Sequence, residues 1–391
     1  MKSKSEHSAG FGPQGLLTGL RITAAVSLAD SPGYFEPLGN TEVLGLSRQG
    51  GRPGFRDLAT IRRLTGVESR RLLQPGITPL MLVQGLDECL HRRAGLSLRS
   101  CDAVLLCHSQ ADPAATAALA AAVAADPGLG LKHFSGANFG CTGFVQLLCE
   151  AAELFLEQPG MQRIALLNVE TPEFWHCSAD RVFCGIVGAG ATAVLVERCG
   201  SDANATGSDT PATPAHSTLG WELRGLGRAD FPVPLTADSE PLFTAETTAA
   251  FSFRGAAVSR CVMRMQAEAV FVNGIELMLL ALRLALRAQP ARPDQRLLVL
   301  PHQPSGKLLR AFAVAAQQEF CGCRILENLE HHGNTISCTI PQQLSELADV
   351  CRRNAVAPPT RDDLLIAVTT GICMSRKHDQ MSCGYALLTL C

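Results

Sequence analysis

A layered α/β fold is predicted by three features of this sequence. Short, nearly all-apolar runs such as "CDAVLLCHS" (101–109) and "DDLLIAVTTG" (362–371) have strand length and the composition of strands buried on both faces. Segments with a 3.6-residue apolar period stand between them, as alternating strands and helices require. The pattern then breaks at residues 199–218, low in apolar content and rich in Ser, Thr, Ala, Asp and Pro, and restarts beyond them. Two α/β halves joined by a surface connection follow from that restart.

The elements can be justified in order. Residues 1–18 read as a loose arm, and "GLRITAAVSL" (19–28) as the first strand. The Gly- and Pro-rich stretch 29–55 reads as an irregular insert with a short helix around Thr41 to Leu46. "FRDLATIRRLTGVESRRLL" (55–73) begins helical and ends at Gly66, and "TPLMLVQGLDECLHRRAGL" (78–96) is a helix of period 3.6. The strand at 101–109 leads to the Ala-rich helix "PAATAALAAAVAADPGLG" (113–130), closed by Pro and Gly. "IALLNVET" (164–171) and "AGATAVLVER" (189–198) complete the strands of the first half, 19–198.

In the second half, 219–391, "GWELRGLGR" (220–228) reads as a strand and 256–288 as one long helical region. "QRLLVLPHQ" (295–303) is a strand, and "SGKLLRAFAVAAQQEF" (305–320) and "TIPQQLSELADVCRR" (339–353) are helices. "DDLLIAVTTG" and "GYALLTLC" (384–391) are the closing strands.

Composition narrows the function. The chain has 391 residues, 47% hydrophobic and 18% charged, so it can bury an ample core. A formal net charge of -2 gives no electrostatic case for nucleic acid. No run of 18 or more apolar residues is free of charges and turn-formers, so no membrane span is read. The start, "MKSKSEHSAGFGPQG", lacks the apolar core of a signal peptide and points to the cytoplasm. Most of the sixteen cysteines lie in apolar stretches and read as small buried hydrophobes. Cys321 and Cys323, followed by His331 and His332, have metal-ligand chemistry but not the paired spacing of structural zinc sites, so no metal is assigned.

Three positions can do chemistry. In "HFSGANFGCTGF" (133–144), Cys141 stands between glycines where a strand gives way to a helix. A thiol there meets the positive end of a helix dipole, which favours thiolate, and its own N–H can help hold an oxyanion. The same cysteine also reads as an inert core thiol. His302, in "LLVLPHQPSGKLL" (297–309), follows a buried strand, where α/β folds place functional groups. Asn334 lies in a turn within "HHGNTISCTIPQQL" (331–344). A cysteine nucleophile needs a base or charge partner and groups that hold the developing oxyanion, and these three occur at predicted element ends in the order Cys, His, Asn.

From about residue 19 onward the chain resembles the thiolase superfamily, and within it the β-ketoacyl-[acyl carrier protein] synthase III enzymes and their relatives in specialised metabolism. The resemblance rests on "TIRRLTGVESRRLL" (60–73), "SGANFGCTGFVQLL" (135–148), "GAGATAVL" (188–195) and the two segments around His302 and Asn334. It implies a five-layered αβαβα fold of two pseudo-duplicated halves, usually dimeric, with Cys141, His302 and Asn334 as the catalytic triad. Coenzyme A or phosphopantetheine thioesters are then the substrates, and no further cofactor is called for. The implied reaction acylates Cys141 from a thioester. A malonyl-type or β-ketoacyl thioester then enters, and its carbanion equivalent attacks the acyl-enzyme in a decarboxylative Claisen condensation, with His302 and Asn334 as donors to the enolate. "HHGNT" in place of a Gly-His-Pro loop favours this branch over a biosynthetic thiolase. Acyl transfer to an O, N or S acceptor, non-decarboxylating condensation and a role as the non-catalytic partner subunit of a condensing heterodimer are the rival readings, the last opposed by the presence of all three residues.

The sequence departs from the family pattern in three places. Thr60 and Leu64 stand where the family often has the Trp and Arg that hold the adenine of coenzyme A. Gly188 replaces an Asp, and polar residues interrupt the glycine-rich loop within 369–388. These changes point to a divergent enzyme with an unusual, carrier-bound acyl donor. Lys307 and Arg310, on the helix after His302, are the candidate basic rim for such a carrier, and ordinary solvated helix charges are the alternative.

Overall fold

The computed structural model describes residues 19–49, 53–199, 220–233, 241–372, 374 and 380–391. The arm at 1–18 and the connection from 200 to 218 lie outside the described residues.

In the first half, β1 (Leu20–Ser27) is followed by β2 (Phe35–Gly39) and α1 (Asn40–Leu46). Then come α2 (Leu58–Thr65), β3 (Ser69–Leu73) and α3 (Pro79–Ala94). The half continues through β4 (Ala103–Cys107), α4 (Pro113–Ala125), β5 (Phe134–Ala137), α5 (Gly143–Glu157), β6 (Arg163–Glu170) and β7 (Gly190–Arg198). Local chemistry sets the helix ends. Asp57, Thr78 and Asp112 each accept a backbone N–H of the first turn, prolines open α3 and α4, and left-handed Gly66 and Gly95 close α2 and α3.

The second half runs β8 (Trp221–Pro232), β9 (Phe243–Phe251), β10 (Ala257–Met265), α6 (Ala267–Ala288), β11 (Leu297–Pro301) and α7 (Gly306–Glu319). It closes with β12 (Arg324–Ile325), α8 (Leu329–His332), α9 (Thr339–Ser345), α10 (Leu347–Arg353), β13 (Leu364–Gly371) and β14 (Gln380–Leu390).

The strand order states the duplication. One half reads β5-β4-β6-β7-β1 and the other β12-β11-β13-β14-β8. In both, the first two pairings are parallel and the last two antiparallel. The halves meet edge to edge where β1 pairs antiparallel with β8. Helix α5 packs on β8 and β14 as well as on its own β4 and β6, while α9 packs on β1 and β7 as well as on β11. These two helices therefore form a middle layer between the half-sheets. Helices α3 and α4 cover the outer face of one half, and α6 and α7 that of the other. The result is the thiolase-like αβαβα arrangement.

The all-apolar strands follow from this layering, because each faces packed helices on both sides. In β4, Leu105 joins the central core with α5 while its neighbour Leu106 joins the outer core with α3. In β11, Leu298 and Leu300 face the centre, and Val299 faces outward toward Phe312 and Met278.

Three expectations need correction. Residues 257–265 are not helical. They form β10, paired along its length with β9, and in "AVSRCVMRM" Cys261, Met263 and Met265 share one face while Arg260 and Arg264 lie on the other. The insert 29–55 carries β2, which pairs with the unpredicted β3. The helix expected over 339–353 breaks at Glu346 into α9 and α10. Helix α6 is, among the described residues, the one helix long and apolar enough to cross a bilayer, but it packs on β13, β14 and β8 as a core helix.

Candidate active site

Cys141 sits in a tight 3-10 turn, Gly140–Thr142, between β5 and α5. Gly140 takes φ +57°, and any side chain there would collide with the Ile372 carbonyl, so glycine is required on two counts. The Cys141 carbonyl accepts a hydrogen bond from Thr369 Oγ1 at 2.8 Å, which ties the turn to β13. Gly371, at the end of β13, lies close against it: a Cβ at 371 would stand 2.6 Å from Cys141 Cβ.

His302 immediately follows β11, and its N–H donates to the Val368 carbonyl at 2.8 Å, extending the β11–β13 pairing by one residue. The side chain is buried and its Nδ1 has no partner among the described residues. Asn334 is fixed at its backbone. Its N–H donates to the Ile186 carbonyl at 2.8 Å and its carbonyl accepts from Gly188 N at 3.0 Å. Its Oδ1 accepts from Ile336 N at 2.8 Å, and Nδ2 is only 3.5 Å from the Pro304 carbonyl, a weak contact.

The departure at Gly188 now has a physical reason. A Cβ there would stand 2.6 Å from the His332 carbonyl, so the turn that presents Asn334 leaves no room for Asp. In the same way Gly66 and Gly306 touch, with a Cβ at 66 falling 2.9 Å from Gly306 Cα. The "LTGV" and "PSGK" motifs are thus two sides of one contact between α2 and α7.

All three residues line one cavity of about 270 Å³, whose other walls are mainly apolar, among them Met263, Met265, Val270 and Phe271. The β9–β10 hairpin and α6 supply those walls. A second, more open hollow that includes Leu64 and Phe55 shares Arg181, Val182 and Ile186 with the first.

Electrostatics correct one expectation. Helix α5 begins two residues beyond Cys141, and burial followed by the Glu170 carboxylate pushes the thiol up to about 12. The resting group is a thiol, not a thiolate. Burial pulls His302 down to about 3, so its imidazole is neutral.

Glu170, at the end of β6, was not singled out by sequence reasoning. It is fully buried, accepts from Ser109 Oγ at 2.8 Å and from Ser337 Oγ, and is raised to about 8 by burial. The only trace of it in the sequence is an acidic residue closing an apolar strand.

Of the two rim candidates, Lys307 is exposed with its ammonium 5.0 Å from the ring of Phe271, at the cavity wall. Arg310 turns away and donates to the Arg63 carbonyl at 3.1 Å. His332 is engaged by Glu346 at 2.9 Å and by Arg71, outside the cavity.

No protein-family model matches the chain. The curated proteins contain clear relatives. The β-ketoacyl-[acyl-carrier-protein] synthase III of Synechococcus elongatus is 27% identical over 302 residues, covering 73% of this chain and 78% of that protein. That of Gloeobacter violaceus is 26% identical over 292 residues, covering 72% and 78%. Among solved structures, 3-oxoacyl-[acyl-carrier-protein] synthase III of Aquifex aeolicus superposes with a TM-score of 0.62 at 20% identity, over 95% of this chain and all of that one. The priming β-ketosynthase of the R1128 polyketide pathway gives 0.65 at 19%, over 95% and 96%. Xanthomonas campestris OleA gives 0.60 at 13%, over 96% and 99%. The chain thus shares the thiolase-like architecture of these structures and is distantly similar in sequence to the β-ketoacyl-[acyl-carrier-protein] synthase III proteins.

Proposed function

We propose that Cys141 carries an acyl group taken from a coenzyme A or phosphopantetheine thioester and passes it to a malonyl-type thioester in a decarboxylative Claisen condensation. The observation that carries the reading is the convergence of Cys141, His302 and Asn334, from three separate segments, on one largely apolar cavity. In the first step Cys141 Sγ forms a bond to the thioester carbonyl carbon. The carrier's C–S bond breaks, and the carrier thiol leaves with the proton that Cys141 gives up. The proton must move during the step because the resting thiol is not ionised, and the neutral His302 imidazole can relay it. Charge that gathers on the carbonyl oxygen is met by the Cys141 N–H and by the backbone of Gly371, whose contact with Cys141 brings it within reach.

In the second step the malonyl-type carboxylate leaves as CO2, and its bonding electrons become an enolate. His302 and Asn334 Nδ2 donate to that oxygen. Neutral donors suit the task, since charge appears only as the bond breaks. The enolate carbon attacks the acyl-enzyme carbonyl, the C–S bond to Cys141 breaks, and the departing thiolate takes up a proton from solvent to restore the resting thiol. The residues at positions 60 and 64 favour a carrier-bound donor. Thr60 gives its N–H to Asp57 at a helix cap and Leu64 is an exposed aliphatic, so neither offers a flat or charged surface to a nucleotide.

Intact-mass spectrometry with acyl thioesters tests the first step. Wild-type protein should gain one acyl mass, and Cys141→Ala should gain none; equal labelling of that variant removes the assignment. His302→Ala and Asn334→Ala should still acylate yet release no CO2 from a malonyl thioester.

A further inference from the structure

Arg70, in β3, has no solvent exposure, and burial pulls its guanidinium down to about 10, so it stays a cation at neutral pH. Every hydrogen bond it makes among the described residues goes to a neutral oxygen. Nε donates to the Gly185 carbonyl at 2.9 Å, and Nη2 reaches the same oxygen. Nη1 donates to Asn40 Oδ1 at 2.5 Å, and Asn40 Nδ2 donates to the Val67 carbonyl at 2.9 Å. Two N–H groups on one carbonyl need the planar fork of arginine, since a lysine offers a single point charge. An ion taken out of water is costly, and here the oxygens it fixes are what offset that cost.

Gly185 opens the strap, 185–188, that holds Asn334 by its backbone. Asn334 N donates to the Ile186 carbonyl at 2.8 Å, Gly188 N donates to the Asn334 carbonyl at 3.0 Å, and Val187 and Asn334 form a parallel bridge. The stem of Arg70 lies against both partners. A Cβ on Gly188 would stand 3.4 Å from Arg70 Cβ, and one on Gly333 would stand 3.2 Å from Arg70 Cγ. Little else aims the Asn334 side chain. Its Oδ1 accepts from Ile336 N at 2.8 Å inside its own turn, and Nδ2 is 3.5 Å from the Pro304 carbonyl. The position of Nδ2 therefore follows that of the strap and turn. Cys141 is held by other means, through Thr369 Oγ1 and its contact with Gly371 on β13.

We infer that Arg70 is a positioning residue for the condensation step alone: by clamping the Gly185 carbonyl it fixes the strap that sets Asn334 Nδ2 against the enolate oxygen. Acylation of Cys141 does not pass through that strap and does not depend on the guanidinium. The inference rests on the reading of Asn334 as an enolate donor, and an Asn334→Ala control separates the failure of one from the failure of the other.

The two steps are measured apart in the full chain. Acylation by straight-chain acyl pantetheine thioesters is followed by intact mass. CO2 release from malonyl-pantetheine is then followed over a single turnover and expressed per acylated protein. Arg70→Met keeps an unbranched stem beside Gly188 and Gly333 and removes the fork. It should acylate within about twofold of the wild-type rate and release CO2 about 10²-fold more slowly, the typical loss for a donor displaced by about an ångström. A merely structural arginine would lower both steps together through the fraction of folded protein. Where Arg70→Met does not fold, Asn40→Ala decides instead. It removes the partner of Nη1 and should slow CO2 release about fivefold, the worth of one net hydrogen bond, with acylation unchanged. CO2 release at the wild-type rate, or equal losses in both steps, overturns the inference. Slow release by Asn334→Ala beside fast release by Arg70→Met overturns the positioning by Arg70 only. Wild-type release by Asn334→Ala removes the donor itself, and the inference falls with it.

Discussion

Gly371 and Cys141 meet so closely that a methyl group on Gly371 would lie 2.6 Å from Cys141 Cβ and 3.4 Å from its Sγ. Carbon atoms do not approach to that distance, so one of the two turns must move when a side chain is added. Thr369 Oγ1 anchors the Cys141 carbonyl at 2.8 Å, two residues earlier on the same strand, so the strain falls on the cysteine turn itself. Gly371→Ala is therefore expected to lower the rate of Cys141 acylation by about 10²-fold, the typical loss for a misplaced reacting atom or a lost oxyanion donor. Stopped acylation assays read by mass, alongside a thermal melt showing a folded protein, check this. Acylation at the wild-type rate would show that Gly371 has no part in the site.

Glu170 offers a second, independent handle. Its carboxylate raises the Cys141 thiol, and it is itself raised to about 8. Below that pH the group is protonated and exerts no charge; above it the negative charge holds the thiol up. Glu170→Gln keeps an acceptor for Ser109 and Ser337 while deleting the charge. The variant should match wild type in iodoacetamide alkylation of Cys141 below about pH 8 and exceed it increasingly above that, by about tenfold for each pK unit recovered. The measurement follows the Cys141 peptide by mass spectrometry, since other free thiols are present. A ratio that stays flat across pH would show that Glu170 does not sense the thiol.

The sequence made the layered fold legible because burial on both faces leaves all-apolar strands, and strands such as Ala103–Cys107 and Leu364–Gly371 show just that. It made Cys141, His302 and Asn334 legible because each is bracketed by glycines or prolines whose spacing the backbone demands. Gly140 and Gly371 have no room for a side chain, and neither does Gly333, whose Cβ would stand 2.5 Å from the Ile186 carbonyl. What escaped were residues defined by three-dimensional neighbours alone. Nothing in "NVETPEFWHC" distinguishes a buried acid from a strand-end acid, or a buried imidazole from a loop histidine. The β10 strand was lost for a different reason: its Val, Cys and Met side chains run directly into α6, and helix periodicity in the longer element masked two-residue alternation in the shorter one.

Buried titratable groups also set a pH window for stability. His108 is held down at about 4, and His176 and His302 at about 3, all by burial from an ordinary 6.5. In the unfolded chain these imidazoles take up protons below 6.5, whereas the folded protein refuses them. Their contribution is therefore present above 6.5 and is lost as pH falls toward 3. Glu170 and Glu173 have the opposite sign. Their folded values of about 8 and about 7 lie above the ordinary 4.5, so what they contribute is complete below 4.5 and is lost as pH rises to 8. The melting temperature should accordingly decline on both sides of a maximum at mildly acidic pH, between 4.5 and 6.5. Glu170→Gln should flatten the alkaline limb and leave the acid limb in place, because the three histidines are untouched. Thermal melts across this range check both limbs, and an alkaline limb unchanged by Glu170→Gln would mean that the carboxyl is ionised in the folded protein well below 8.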